Sequence, residues 1–395
     1  MNSSESVIVA GAGPVGLLSA LKLAREGINV IVVDELSFIG QWPRAVVYHP
    51  PTVSALDNLG LLSEMIEKGL IKRDYQWRTI DGEMLLKLDM SSIEGKTQYP
   101  YNLHLGQHVM AEIILNHLLN MQNVDVLWNS KVVAVTQTDS QVEVTLKTDE
   151  KERTIRSAWL IGSDGASSGV RKCLGLEFKG ITWPERFVVT NVYSDIESFG
   201  YAKATFIVDP DEFSVICQIN KDKLWRVAFA ENSDLPIETL NNRLHQRLER
   251  LIPGPYELDE VSPFRVHQRV LDNFRVGRVL FAGDAAHANS PIGGLGLTGG
   301  LLDAVALADA LSAVIHQRRS ESVLDEYAKE RRDIFVNYTS PVTTENKRRM
   351  SERDSNKRAA DKEYFKTIGS SPELQANMLL ATNRLVGSSF KTSEN

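Results

Sequence analysis

The stretch GRVLFAGDAAHANSPIGGLGLTGGLLD, residues 277–303, joins an apolar strand, one isolated acid, a glycine-rich turn and a long helix. Its first part, Val279 to Ala282, predicts a short buried strand. Gly283 then allows the backbone to turn, so that Asp284 is presented to a ligand at the end of the strand. The other motifs of the chain are best understood in relation to this one.

The glycine-rich turn of this stretch predicts a site for an anion or a carbonyl oxygen. Three glycines follow Pro291, namely Gly293, Gly294 and Gly296. They allow positive φ angles, so that backbone N–H groups can approach a flat molecule that is rich in acceptors. Thr298 is expected to cap the helix that follows. A strand-to-helix turn with no ligand could have the same residues, so two further stretches decide between these alternatives.

A dinucleotide-binding unit is predicted at the N-terminus. The apolar strand Ser6 to Ala10 leads directly into GAGPVG, residues 11–16, and then into a helix with a leucine face. A second strand, Val30 to Val33, ends in Asp34, about 20 residues beyond the glycines. We expect the turn to hold a pyrophosphate and Asp34 to hold ribose hydroxyls, and both NAD and FAD are compatible with this pattern. The residues expected at the pyrophosphate are Gly11, Gly13, Pro14, Val15 and Gly16.

A second acid follows another buried strand. The sequence WLIGSDGASSGVR, residues 159–171, predicts a strand that ends at Asp164-Gly165 and a serine-rich turn into a helix that carries Arg171. Ligands of open α/β sheets bind at the carboxyl ends of the strands, which is where Asp164 is placed. By itself an Asp-Gly pair would indicate only a turn.

The composition indicates a soluble protein and excludes several functional classes. The chain has 395 residues, a net charge of −7 and 43% hydrophobic residues, so it can bury a large core and has no general attraction for nucleic acid or an anionic membrane. We find no signal peptide and no apolar segment of the ~20 residues that span a bilayer, which favours a cytoplasmic protein. Cys173 and Cys217 are too few for a zinc site, and the histidines show no ligand spacing, so no metal is expected.

Together, the three motifs make the sequence resemble the class A flavoprotein monooxygenases, FAD-dependent aromatic hydroxylases with the p-hydroxybenzoate hydroxylase fold. The resemblance runs from about Ser6 to Asn337. In that family the first motif holds the ADP part of FAD, the Asp-Gly stretch is attributed to both FAD and NAD(P)H, and the Gly-Asp stretch holds the ribityl chain and the isoalloxazine. The resemblance implies that FAD also contacts Arg44, Gln107, Asp164, Asp284, Pro291, Gly294, Leu295, Gly296 and Leu297.

The resemblance also implies a reaction. Such enzymes reduce FAD with NAD(P)H, form a flavin C(4a)-hydroperoxide with O₂ and transfer one oxygen atom to an aromatic ring, so a phenolic or polyketide-like substrate is expected. The same fold could instead serve epoxidation, oxidative decarboxylation or dearomatisation, or a non-catalytic flavin-binding protein. Halogenation is disfavoured because no tryptophan lies in a WxWxI sequence.

The expected architecture is an α/β fold, in which a Rossmann-like FAD-binding domain is interrupted by an antiparallel β-sheet substrate domain and followed by C-terminal helices. From Thr182 to Ala230 the chain has β-branched and aromatic runs separated by turn residues, which is typical of an antiparallel sheet. The charged tail from Thr343 to Lys362 indicates a solvated helix, and these helices could pack between the subunits of a homodimer. The expected ranges are 1–180 and 271–340 for the FAD-binding domain, 181–270 for the substrate domain and 341–395 for the tail.

The resemblance places the substrate pocket between the flavin and the inserted sheet. The residues expected to line it are Val47, Val189, Asn191, Phe206, Phe213 and Pro291. Phe206 stands where the p-hydroxybenzoate enzyme has its substrate-activating tyrosine, which argues against that substrate, and the apolar lining favours a neutral phenol or a larger polycyclic ring.

Catalytic candidates follow from the chemistry of a phenol. A base that deprotonates it should titrate near neutrality, which makes His49 the first candidate, followed by Tyr48 and Tyr201. Arg226 is either the arginine that steadies the flavin in this family or a surface residue of a strand.

Overall fold

Twenty strands and eleven helices make up the regular structure of the part of the chain that the computed structural model describes, residues 6–149, 151–388 and 390. The strands are β1 (Ser6–Ala10), β2 (Asn29–Val33), β3 (Val47–Tyr48), β4 (Leu70–Lys72), β5 (Asp74–Thr79), β6 (Met84–Asp89), β7 (Asn102–His104), β8 (Val124–Leu127), β9 (Lys131–Gln137), β10 (Val142–Thr148), β11 (Lys151–Ser157), β12 (Trp159–Gly162), β13 (Lys179–Tyr193), β14 (Ala204–Val208), β15 (Ser214–Gln218), β16 (Leu224–Asn232), β17 (Glu257–Val270), β18 (Arg275–Val276), β19 (Val279–Phe281) and β20 (His287–Ala288). The helices are α1 (Pro14–Arg25), α2 (Pro50–Asn58), α3 (Leu62–Lys68), α4 (Gln107–Leu119), α5 (Gly169–Cys173), α6 (Leu240–Leu251), α7 (Leu295–Ile315), α8 (Ser322–Ile334), α9 (Ser340–Met350), α10 (Ser355–Ser370) and α11 (Pro372–Leu380).

A six-stranded sheet forms the Rossmann-like domain, in the order β18-β19-β12-β1-β2-β8. All of its strands run parallel except β18, which joins antiparallel at the edge. Every residue of β1 is buried, as expected for a central strand of a parallel sheet that is covered on both faces. Each of the three motifs follows one of the adjacent strands β1, β12 and β19, so the motifs meet at the same edge of the sheet.

An eight-stranded sheet, in the order β20-β17-β13-β16-β15-β14-β5-β6, forms the second layer. One face packs on the leucine face of α6, where Leu240, Leu244, Leu248 and Leu251 contact Val188, Val227 and other alternate residues of the strands. The opposite face, which we call the pocket face, carries Val189, Ala228, Val215 and Phe206 in one row across β13, β16, β15 and β14. The sequence therefore predicted the antiparallel sheet correctly.

This sheet extends beyond the range 181–270 that the sequence suggested. β5 pairs in parallel with β14, with Trp77 opposite Phe206, and β6 continues the sheet at its edge. Both strands come from residues 74–89, which the expected division assigned to the FAD-binding domain. Because strand pairing over such a separation leaves no local signal in the sequence, the divisions drawn from the sequence missed it.

Two smaller sheets complete the fold. The sheet β3-β7-β4 packs against β14 and β15, since Val46 and Val47 lie in one apolar cluster with Ala204 and Cys217. The other small sheet has the order β11-β10-β9.

The C-terminal helices are not the simple solvated segment that the sequence indicated. A π-helical turn, Phe335–Thr339, joins α8 to α9, and Met350 and Phe365 are buried at the pocket face and at β6. The charged composition hid these contacts because only a few apolar residues make them. Within the described residues, α7 alone is long and apolar enough to cross a bilayer, and most of it is buried inside the protein.

Candidate active site

The first two motifs pack closely at the ends of β1 and β12. Gly11 has a φ of 103°, and a Cβ there would lie 2.5 Å from the Ser163 carbonyl oxygen. Ser163 in turn donates its hydroxyl to the Ala10 carbonyl oxygen over 2.8 Å. At Gly16 a Cβ would overlap the Gly11 carbonyl oxygen. Only glycine fits at both positions, and this closeness holds the start of α1 beside the second motif.

The start of α1 is open for a ligand. Gly13 is the N-cap and Pro14 the first helical residue, and the cap supplies no side chain to the free N–H groups. A Cβ at Gly13 would meet no atom within 4 Å, in contrast to Gly11 and Gly16. A pyrophosphate can therefore approach the backbone here. The side chain of Val15 packs instead on the protein, 2.9 Å from where a Cβ of Gly283 would lie.

Asp34 and Asp164 lie at the ends of two strands and are tied to the backbone. Asp34 accepts from Ala12 N over 2.7 Å and from Leu36 N over 2.8 Å. Asp164 accepts from Val170 N over 3.0 Å through Oδ2, while its buried Oδ1 has no hydrogen-bond partner among the described residues. Burial raises the pKa of both carboxyl groups, which a hydroxyl donor from a ligand would counteract.

Arg171 holds the second motif to the third. Its guanidinium donates to the Ala285 carbonyl oxygen over 3.0 Å and to the Ala166 carbonyl oxygen over 2.5 Å, and it lies over the ring of Phe178. The side chain is 5% exposed. Arg171 is thus a connection between the two motifs.

Asp284 and Arg44 interact electrostatically at the end of the third motif. Asp284 is accessible to solvent although protein surrounds it, so that burial raises the pKa of its carboxyl group while His287 and Arg44 lower it. Burial lowers the pKa of Arg44, and Asp284 opposes that shift. Arg44 lies 5.4 Å from the Phe264 ring centroid, and among the described residues neither charge has a hydrogen bond or ion pair of its side chain.

The third motif ends at α7, which begins earlier than the sequence indicated. Gly294, with a φ of 67°, is the N-cap, and Leu295 is the first residue of the helix. Thr298 lies inside the first turn and donates to the Gly294 carbonyl oxygen over 3.5 Å, so the prediction that Thr298 caps the helix was wrong. Because Gly294 has no side chain to offer, the N–H groups of Leu295, Gly296 and Leu297 remain available to a ligand.

A buried network of hydrogen-bonded, ionisable side chains around Asp303 supports the turn of this motif. Asp303 accepts from Gly283 N over 3.0 Å, from His287 Nε2 over 2.6 Å and from Arg331 Nε over 2.7 Å. Burial alone would raise the pKa of Asp303, but His287 and Arg331 outweigh it and hold the pKa at about 2. The ionised carboxylate fixes the turn that presents Asp284.

Four of the six residues predicted to line the pocket, Val189, Asn191, Phe206 and Phe213, lie in or beside strands of the large sheet, whereas Val47 lies in β3. Phe187, Phe213, Ile292 and Met350 form one buried cluster, with Phe206 and Phe264 packed against it. Phe206 stacks on Trp77 with ring centroids 4.8 Å apart. Pro291, in the loop before α7, is exposed, whereas Val189 and Asn191 project from β13. Through Ile292, the loop of the third motif packs against the sheet.

Arg226 is buried, so the alternative that it is a surface residue was wrong. Its guanidinium donates to Asn191 Oδ1 over 3.1 and 3.0 Å and to the Arg44 carbonyl oxygen. Burial lowers its pKa to about 10. Arg226 thus fixes the loop that carries Arg44.

Tyr201, in contrast, donates to the Leu251 carbonyl oxygen on the α6 side of the sheet, away from the pocket.

His49 lies under the glycine turn. Its Nε2 is 3.3 Å from the Gly293 carbonyl oxygen, to which it donates, and it would lie 3.4 Å from a Cβ of Gly294. Burial, together with Lys72, lowers the pKa of His49 to about 4. Tyr48 is fully buried, its hydroxyl has no partner among the described residues, and burial raises its pKa.

A buried polar cluster beside His49 was not found by sequence reasoning. Lys72 is 0% exposed, and burial lowers its pKa well below 10.5. Its amine lies against the face of the Tyr75 ring and has no hydrogen bond within the described part of the chain. Asn102, paired with Lys72 across β4 and β7, and Gln218 each have an unpartnered side-chain oxygen, and His104 has an unpartnered Nε2. Lys72 stands in a short apolar strand. In such a strand, a lysine usually indicates an exposed sheet edge, so the sequence did not predict a buried amine.

Comparisons with known proteins agree with this geometry. A family model described as an FAD binding domain matches residues 4–340. The para-nitrophenol 4-monooxygenase of Pseudomonas sp. strain WBC-3 is 43% identical over 392 residues, which are 98% of this chain and 97% of that protein. The chain belongs to the FAD-dependent aromatic hydroxylases. The hydroxylase is thus an enzyme, a flavoprotein monooxygenase with FAD as its cofactor.

Two further matches extend the comparison. The 6-hydroxy-3-succinoylpyridine 3-monooxygenase HspB of Pseudomonas putida (strain DSM 28022 / S16) is 43% identical over 353 residues, which are 89% of this hydroxylase and 90% of that protein. The crystal structure of p-nitrophenol 4-monooxygenase PnpA from Pseudomonas putida DLL-E4 is similar with a TM-score of 0.95 at 43% identity, covering 98% of this chain and 99% of that one. The fold of the hydroxylase is therefore that of the solved aromatic monooxygenases.

The site of the hydroxylase fits FAD. Gly13 leaves room for a pyrophosphate, Asp164 Oδ1 lacks a donor, and Arg44 lacks an anion. Gln107 begins α4, and its backbone N–H donates to the Ala45 carbonyl oxygen over 3.1 Å, which places it beside the Arg44 loop. NAD(P)H as the reductant is typical of the family.

Proposed function

We propose that the hydroxylase transfers oxygen to a ring carbon that lies para to a hydroxyl and already bears a substituent. This proposal rests on the ring positions that two relatives oxygenate, as their names state them. They place the oxygen at C4 of p-nitrophenol and at C3 of 6-hydroxy-3-succinoylpyridine, and in both molecules that carbon is para to the ring hydroxyl and substituted. The substrate proposed for this hydroxylase is accordingly a para-substituted phenol or hydroxypyridine.

The two sides of the pocket support such a substrate. The aromatic cluster around Phe187, Phe206 and Phe213 suits the faces of a single ring. The polar side offers the unpartnered groups of Tyr48, Asn102 and Lys72, which suit a ring hydroxyl. A substrate with one polar end and one apolar body fits this division.

When bound and reduced by NAD(P)H, FAD would activate O₂, of which one atom goes to the substrate and the other to water. In our proposal Gly11, Gly13, Pro14, Val15, Gly16 and Asp34 hold its adenosine diphosphate part, and the residues at the flavin are Arg44, Gln107, Asp164, Asp284, Pro291, Gly294, Leu295, Gly296 and Leu297. For the substrate we propose contacts with Val47, Val189, Asn191, Phe206, Phe213 and Pro291.

Lys72 suits the role of proton acceptor better than His49. The Nε2 of His49 is engaged with Gly293, and a pKa of about 4 makes it a weak base at neutral pH. Burial favours the neutral amine of Lys72, which can take the proton from the ring hydroxyl and become an ammonium group beside the phenolate. After oxygen transfer to p-nitrophenol, the oxygen of the original ring hydroxyl becomes a carbonyl. The nitro group then leaves as nitrite while the added hydroxyl loses its proton, which gives the quinone.

The proposal is tested by turnover of purified FAD-loaded protein with p-nitrophenol, 3-nitrophenol and phenol, using NADH and NADPH in turn. The expected result is oxidation of the reductant with p-nitrophenol, with equal amounts of nitrite and of a quinone and little peroxide. The isomer 3-nitrophenol is the matched control because it has no substituent para to the hydroxyl. Nitrite-free hydroxylation of all three phenols would contradict the proposed position of attack.

The cytoplasmic location and the homodimer stay proposals. Cell fractionation tests the first, and light scattering of the FAD-loaded protein tests the second.

A further inference from the structure

A cleft of about 280 Å³ lies between the edge of the large sheet and the C-terminal helices. Its walls are mixed. Ile80, Leu85, Val208, Met350 and Phe365 are apolar, and the charged lining residues are Asp81, Glu83, Asp209, Arg349, Glu352, Arg358, Asp361 and Lys362. A volume of about 150 Å³ is enough to hold benzene, so by volume a single aromatic ring fits in this cleft. The function proposed above gives this cleft no role.

The inner end of the cleft adjoins the pocket face. Met350 lines the cleft and is also a member of the buried cluster that contains Phe213 and Ile292, with 2% of its side chain exposed. A second wall is made of stacked rings. Phe365 in the cleft lies 6.2 Å from Trp77, measured between ring centroids, and Trp77 stacks on Phe206 of the pocket.

We propose that this cleft is the route by which the aromatic substrate reaches the pocket, and that Met350 is the gate at its inner end. This inference rests on the proposed function for the location of the pocket. The helix α6 covers the other face of the sheet, and the third motif with α7 closes the side of the flavin. On the side of α9 and α10, the side chain of Met350 lies between the cleft and the buried cluster of the pocket face.

Both ends of the route can open without breaking the fold. Methionine is unbranched and flexible, so Met350 can change rotamer while the backbone of α9 stays in place. That backbone is fixed, because the Met350 carbonyl oxygen accepts from Asp209 N over 3.0 Å. At the mouth, Lys362 and Glu83 form an ion pair across the cleft, with side chains 59% and 52% exposed. Exposed pairs of this kind contribute little to stability and are easily separated.

Neighbouring alanines of α10 provide a matched pair of variants. Ala359 lines the cleft, whereas Ala360 does not, and both are exposed residues of the same helix. Ala359→Trp should fill the mouth of the cleft, and Ala360→Trp should place the same ring on the surface beside it. Neither residue has a part in the site described above.

The test is the rate at which p-nitrophenol binds to the FAD-loaded protein, followed by the change in flavin absorbance after rapid mixing. Ala359→Trp should lower the association rate about fivefold or more, with FAD content unchanged, whereas Ala360→Trp should match the parent. Met350→Ala, with a smaller gate, should bind faster, and Met350→Trp more slowly. Equal association rates for the parent and Ala359→Trp would overturn the route.

The assay measures binding and not turnover. Its result therefore distinguishes a failure of the proposed route from a failure of the proposed function. Slow binding in Ala359→Trp with normal product formation at saturation supports the cleft, whatever carbon is oxygenated. Binding without any oxygenated product contradicts the proposed function and leaves the result on the route valid. An equal loss in both tryptophan variants would indicate a general disturbance of α10 and would also overturn the route.

Discussion

Replacement of Lys72 by methionine should make the hydroxylase more stable and less active. Lys72 is fully buried, and among the described residues its amine has neither a hydrogen bond nor an ion pair. It lies against the face of the Tyr75 ring, which is a weak acceptor and does not replace a hydrogen bond. A buried polar group without a partner costs about 1–3 kcal/mol. Methionine has a similar length and no polar atom to satisfy, so Lys72→Met should raise the free energy of unfolding by about 1–3 kcal/mol.

The buried amine also predicts how the free energy of unfolding changes with pH. Burial lowers the pKa of Lys72 in the folded protein well below its usual value of 10.5. Between the lowered pKa of Lys72 in the folded protein and its pKa of 10.5 in the unfolded chain, the unfolded chain binds more protons than the folded protein. The free energy of unfolding therefore rises with pH through this range. The variant has no such group and should lack that part of the rise.

The activity of Lys72→Met should fall with weakly acidic phenols in particular. A positioned base contributes about 10²–10⁴-fold, so kcat/KM for phenols that are neutral in solution should fall by about 100-fold. The loss should be smaller for p-nitrophenol, which is a stronger acid, and raising the pH should restore activity because the phenol then ionises in solution.

Urea unfolding and steady-state kinetics of the FAD-loaded protein measure both effects. Lys87→Met is the matched control, since Lys87 is an exposed residue of the nearby strand β6 and should change neither quantity. A less stable Lys72→Met protein with full activity would refute both the cost of the buried amine and its role as proton acceptor.

Three other changes test the rest of the site. Asp284→Ala should yield protein without FAD, measured by its visible absorbance, and a variant of full yellow colour would contradict the role of the third motif. Phe206→Ala removes the ring that stacks on Trp77 and should extend the substrate range to bulkier phenols while FAD content stays constant; unchanged kinetics across a phenol panel would remove Phe206 from the pocket. Asp303→Asn should cost about 3–5 kcal/mol at neutral pH because the buried Arg331 loses its carboxylate. The stabilisation by Asp303 is complete above pH 3.8 and is lost as the pH falls towards its pKa of about 2, so acid unfolding between these values should differ between parent and variant, and superimposable curves would contradict the account.

The sequence predicted the nucleotide-binding framework because its signals are local. Gly11, Gly13 and Gly16 stand within one turn of the chain, and Asp164 and Asp284 each follow a short apolar strand directly. Such strands order themselves in a parallel sheet with their carboxyl ends together, so three separate motifs indicated one site before any contact was known.

Contacts between distant segments were beyond sequence reasoning. The pairing of Trp77 with Phe206 joins strands that are far apart in the chain, and Met350 reaches the pocket from a helix whose residues are mostly polar. The burial of Lys72 depends on residues of other strands, such as Asn102 of β7 and Tyr75 of β5, so its type alone suggested an exposed residue. Sequence reasoning failed at these positions because their environment is made by the tertiary structure.

The parallel pairing of β5 with β14 has a consequence for protein engineering. An exchange of residues 179–270 between two hydroxylases, intended to transplant a substrate preference, would remove β14 from the strand it is matched to and leave a mispaired or open sheet edge. It would also separate the pocket face from Lys72 and Asn102, which come from the same early part of the chain as β5. A workable chimera needs two donor segments, about 70–105 and 179–270, inserted together.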